Sequence, residues 1–146
     1  MNITGRMVAA LGALGLFIGA LLPWSSLSER ELMPMDLRSQ WAFGFGGDRT
    51  TGIWLESLLF VLVASAILVL VGAITGASPV TIIGAIVGGA CVVAWIFQLS
   101  SVTAATGTDI IDVLGTGVAA AAVGALLALV AGVFMRVPRA EPALVV

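Results

Sequence analysis

The chain contains no lysine, no histidine and no tyrosine, and Cys91 is its single cysteine. Without histidine it lacks the side chain that most often moves protons near neutral pH. One cysteine excludes an intrachain disulfide and a Cys/His zinc site. Charge is scarce as well. Only 10% of residues are charged, with six arginines against eight acids and a net charge of −2. Soluble domains carry about a quarter charged residues, and a nucleic-acid binder needs a basic footprint that is missing here. What fills the 146 residues is apolar: 60% hydrophobic, with a mean hydropathy of +1.19. That composition places the chain in a membrane.

A bilayer core about 30 Å thick needs a helix of roughly 20 apolar residues. Four stretches qualify: 7–22, 53–74, 80–99 and 113–135. None contains an internal proline, and Glu56, at the start of the second, is their only charge. Ile3 extends the first span if Arg6 snorkels to the headgroups. The residues after that span, Leu21-Leu22-Pro23-Trp24, make a poor signal-peptidase site, so it reads as a signal anchor. The expected fold is an all-α membrane protein. Residues 1–146 form one four-transmembrane-helix bundle, with outer loops at 23–52 and 100–112 and a tail at 136–146.

An even number of spans places both termini on one side. Arg6, Arg136 and Arg139 lie on that side, and Arg30, Arg38 and Arg49 lie in the first loop. Arg6 and Arg136 abut their helices, whereas the loop arginines are interleaved with Glu29, Glu31, Asp36 and Asp48. Proximity to span ends favours cytoplasmic termini. The halves also read as two helical hairpins. Span one ends in Pro23-Trp24-Ser25-Ser26 and span three in Gln98-Leu99-Ser100-Ser101, and each following span is entered through Gly and Thr. Parallel repeats of this kind build membrane bundles, and convergence at helix ends is the alternative.

Helices in lipid associate by close packing, which small residues permit. Thr81, Gly84, Gly88, Cys91, Trp95 and Gln98 form one stripe on span three. Gly12, Gly15 and Gly19 do the same on span one, Ser65 and Gly72 on span two, and Gly117, Ala121, Gly124, Ala128 and Gly132 on span four. Such faces either hold the bundle together or grip another protein.

Few residues offer chemistry. No charge lies at mid-bilayer depth, where it would cost about 2.5–3.5 kcal/mol, so a proton- or ion-coupled carrier is hard to build. Glu56 suits the first turn of a helix or pairs with a partner's arginine. Asp109 and Asp112 suit the entry to span four, with Thr106 and Asp109 spaced like a capping box. Cys91 reads as a buried small hydrophobe. Gln98 ends the stripe and is placed to bond a neighbouring helix. The first outer loop carries Trp41, Phe43 and Phe45 after Leu32, Met33, Pro34 and Met35. Aromatic and Met residues of this kind collect at protein interfaces or lie at headgroup level, as do Trp24 and Trp54.

With Leu22-Pro23-Trp24 closing the first span and a Gly-rich entry at 44–52, the chain resembles small four-span membrane proteins of high-GC actinobacteria, of the mycobacterial type. The resemblance implies a bacterial plasma-membrane protein, in some members an accessory subunit of a larger complex. The expectation is therefore a non-catalytic integral subunit that stabilises an inner-membrane assembly such as a lipid transporter or respiratory complex. Its partners are the lipid bilayer and other membrane subunits, with no nucleic acid, cofactor or metal. The interface candidates are Trp41, Phe43, Phe45, Gly84, Gly88, Glu56 and Gln98. Two alternatives stand beside it: a homo-oligomeric channel or carrier for a neutral or lipidic solute, lined by Gln98, Thr81 and Glu56, and an envelope exclusion protein.

Overall fold

The computed structural model describes residues 3–25, 32–43 and 54–136, with the side chains of Gln40, Trp41 and Trp54 excepted. The interface candidate Phe45, the side chain of Trp41 and the Gly-rich entry at 44–52 lie outside the described residues. Four long apolar helices dominate: α1 (Ile3–Leu21), α3 (Leu58–Thr75), α4 (Ser78–Thr106) and α6 (Thr116–Arg136). Short pieces at one end connect them: α2 (Ser39–Ala42), a 3₁₀ turn at Trp54–Glu56 and α5 (Ile110–Val113). Among the described residues there is no β-strand beyond isolated bridges. The fold is the expected all-α membrane bundle.

The helices form an antiparallel ring in the order α1, α3, α4, α6, closed by α6 against α1. That closing contact is the most extensive of the four, and the glycine faces explain it. Gly12, Gly15 and Gly19 meet Ala121, Gly124 and Ala128 backbone to backbone. On the opposite side Gly72 receives Thr81, and Gly84 sits against Ser65 and Val69. Gly88 faces the centre, where Leu16 of α1 fills the space its missing side chain leaves. The interface candidates Gly84 and Gly88 are thus spent inside the bundle.

Large and small residues are sorted in the reverse of a soluble core. Alanines such as Ala9, Ala121, Ala128 and Ala131 are buried, while Met7, Leu11, Ile67, Ile86, Leu126 and Phe134 face outward. Lipid tails are as apolar as leucine, so bulky groups lose nothing outside and small ones let backbones approach.

Several helix ends depart from the sequence expectation. α1 starts at Ile3, and Arg6 does not snorkel freely: its Nε donates to the carbonyl of Ala73 at 2.6 Å, among the last carbonyls of α3 that lack an intrahelical donor. Glu56 closes the 3₁₀ turn before α3 rather than lying one turn inside it, because Ser57 is extended at φ −84° and ψ 157°. α3 ends at Gly76, whose φ of 75° suits a residue without a Cβ. α4 restarts two residues later with Pro79 in its first turn.

The largest difference is α4, which continues to Thr106 where a loop was expected from Ser100. The hydroxyls of Ser100, Ser101, Thr103 and Thr106 bond back to carbonyls three or four residues earlier, which keeps these residues helical. With Thr106 bonded to Val102 and Thr103, its expected capping box with Asp109 does not form. The helix is 29 residues long. At about 1.5 Å per residue it is longer than a hydrocarbon core is thick. The Ser-Ser likeness between the two hairpin ends therefore stops at sequence: Ser25 lies in a β-bridge and Ser100 in a helix.

Candidate functional site

The end of the bundle that carries the loops is closed by a structured cap. Its anchor is an interlock between the end of α1 and the start of α6. Pro23 stops α1, since the residue before a proline is pushed out of helical conformation. The freed carbonyls of Pro23 and Trp24 accept bonds from the N–H groups of Gly117 and Gly115, both at 3.0 Å. A Cβ on Gly115 would collide with the Pro23 carbonyl, and one on Gly117 would meet Leu22 O and the Trp24 ring at 2.6 Å. Leu22-Pro23-Trp24 and Gly115-Thr116-Gly117 are two halves of one joint.

Trp24 turns inward from this joint. It is fully buried, and its indole Nε1 donates to the Gly19 carbonyl at 2.7 Å. Its ring lies 6.2 Å from that of Trp95, inclined by 59°, a favourable tilted aromatic arrangement. The expectation of a headgroup-level Trp24 is therefore corrected. The chain bends at Pro23 into the bundle mouth, and the last carbonyls of α1 offer the indole an acceptor there.

Residues 32–38 lie across the same mouth. Leu32 pairs with Ser25, its N–H reaching Ser25 O at 2.7 Å. Pro34 and Leu37 are buried, and their carbonyls accept the N–H groups of Leu59 at 3.2 Å and Leu58 at 2.9 Å. These are first-turn donors of α3, which no intrahelical carbonyl satisfies. Ser39 Oγ donates to the Glu56 carbonyl at 2.8 Å. Arg38 and Glu56 form an ion pair at 3.0 Å, with side chains 26% and 36% exposed. A pair so accessible to water contributes about 0–1 kcal/mol, so it orients the strap more than it stabilises it. Glu56, expected to meet either a helix dipole or a partner's arginine, is held by the chain's own Arg38.

Outside this anchored layer the strap presents Met33 (42% exposed), Met35 (52%) and Phe43 (37%), while Ala42 beside Phe43 is buried. The cap thus separates into an inner face of Pro34, Leu37 and Ala42 and an outer face of two methionines and a phenylalanine. On the neighbouring rim Asp109 takes the N-cap position of α5 with no side-chain cap bond, and it is exposed. No group of three potential metal ligands occurs among the described residues.

The remaining candidates do not converge. Gln98 is half-buried in the second half of α4, towards the cap, and Thr81 is buried near its start against Gly72. Some 25 Å of helix separates them at about 1.5 Å per residue, and Glu56 is engaged at the cap. The three lie at different depths and form no single cluster. Cys91 is buried in the packed interior. Sequence reasoning missed the Trp24–Trp95 pair and the joint under it. The available signal was Leu-Pro-Trp at the end of the first span and Gly-Thr-Gly at the start of the fourth, two ends that an even-numbered bundle places on the same side.

Comparison of the chain with protein-family models, with curated proteins and with solved structures returned no match.

Proposed function

We propose that the chain is a non-catalytic integral subunit of a larger bacterial plasma-membrane assembly, and that its cap is the surface on which a partner docks. The carrying observation is the two-faced strap: Pro34, Leu37 and Ala42 fasten it to the bundle, so Met33, Met35 and Phe43 are held outward on a rigid base. Ordering a solvated loop costs conformational entropy, and Met and aromatic residues are those that interfaces collect. Both termini lie in the cytoplasm in this proposal and the cap faces outward, which puts Arg6 and Arg136 beside the inner headgroups. The tightly filled interior supports a scaffolding role: Leu16, Trp24, Trp95, Leu62 and Val69 are completely buried along its length.

Purification from native membranes in mild detergent tests this. A reproducible particle containing further polypeptides is expected. Changing Met33, Met35 and Phe43 together to serine should release those polypeptides and leave the chain folded, because the replaced side chains point away from the bundle. Truncating interface anchors commonly costs about 2 kcal/mol or more each. A monodisperse species made of this chain alone would sink the proposal.

A further inference from the structure

We propose that the groove between α1 and α3 is a binding site for an anionic phospholipid, with the acyl chains against the two helices and the phosphate on Arg6. The groove is open on the lipid-facing side and has a volume of about 720 Å³. Its walls are Met7, Leu11, Leu14 and Phe17 of α1 and Ile67 and Leu70 of α3. A second depression of about 290 Å³ shares Met7, Ala10 and Leu70 with it and adds Arg6, so the two form one continuous trough ending at a guanidinium.

The dimensions fit one leaflet. At about 1.5 Å per residue, Arg6 and Phe17 are some 16 Å apart along α1, close to half of a hydrocarbon core about 30 Å thick. A cation at the headgroup end with only apolar walls below it repeats the layout of a phospholipid. Arg6 is also held in place. Its Nε donates to Ala73 O, which fixes the side chain against α3, and among the described residues its terminal amino groups have no protein partner. A guanidinium fork suits a phosphate, which it grips through two parallel N–H bonds. Among the described residues no acid at this end opposes an anion. Arg136, reaching Ser78 Oγ at 3.1 Å, adds a second positive charge, and the described acids Asp36, Glu56, Asp109 and Asp112 all belong to the other end. A docked partner helix would instead bury Arg6 against apolar side chains, at a desolvation cost.

The test uses the full chain purified in detergent, mixed with equal amounts of phosphatidylglycerol and phosphatidylcholine, and native mass spectrometry of the lipid it retains. Wild type should retain phosphatidylglycerol in preference. Arg6→Gln should reduce that preference roughly fivefold, as expected for one basic residue at a membrane surface, while Arg136→Gln should leave most of it. Ala10→Phe, at an exposed groove position, should lower retention of both lipids with Arg6 intact. Equal retention of the two lipids by wild type, or an unchanged preference in Arg6→Gln, would overturn the site. If Arg6→Gln does not fold, Ala10→Phe decides, and undiminished retention in that variant rejects the groove.

Discussion

Gly124→Leu should abolish the folded bundle, whereas Gly89→Leu should be nearly silent. Both are helical glycines in apolar surroundings, and only their neighbours differ. A Cβ on Gly124 would lie 2.5 Å from the Leu16 nitrogen and 2.7 Å from the Gly15 carbonyl carbon. Those atoms are backbone and cannot rotate away, so α1 and α6 must separate along their whole contact. At Gly89 the nearest atom is the Ala125 Cβ at 3.8 Å, an ordinary contact on a partly open face. Overpacking usually costs about 1–3 kcal/mol when side chains can adjust. With rigid backbone opposite, the cost at Gly124 should exceed that range, a large share of a total stability near 5–15 kcal/mol. Monodispersity after gel filtration and helicity during a thermal ramp read the difference. Equal behaviour of the two variants would mean that α1 and α6 do not pack through this face.

Trp24→Ala should cost about 3 kcal/mol and loosen the cap. The value sits at the low end of the range for deleting a buried aromatic, because lipid and core are similarly apolar and the loss is mostly of packing. Three contacts vanish together: the tilted contact with Trp95, the filling of the bundle mouth and the indole bond to Gly19 O. Trp24→Phe should recover much of the packing but not the bond, and so fall between the two. Midpoints of unfolding in detergent measure the order, and cleavage of the 32–38 strap by a protease measures the loosening. If Trp24→Ala melts with wild type and its strap stays resistant, the joint at Pro23 does not depend on the tryptophan.

The spans were legible because their cause is local. A run of apolar residues without proline is helical in lipid whatever its neighbours do. The pairing of glycine faces was legible in part. Gly12, Gly15 and Gly19 stood out on one helix and Ala121, Gly124 and Ala128 on another, but which face met which needed the ring order. The capped end was read less well, for a physical reason in each case. Ser100 to Thr106 look like loop residues by polarity, yet their hydroxyls can bond within a helix. Trp24 looks like an interfacial anchor by position, yet Pro23 turns it inward. Arg38 looks like one of several solvated loop charges, and only the bridge between residue 38 and Ser57 brings it to Glu56. Such contacts between distant segments leave no period in the sequence.

The docking proposal and the span assignment share one premise: the cap and the C-terminal tail lie on opposite sides of a membrane. Single cysteines at Met35 and at Ala143, in a Cys91→Ala background, test it with a membrane-impermeant maleimide on intact cells. The account predicts rapid labelling at position 35, and labelling at position 143 only after the cells are permeabilised. Labelling of both positions on intact cells, or of position 143 alone, would contradict it.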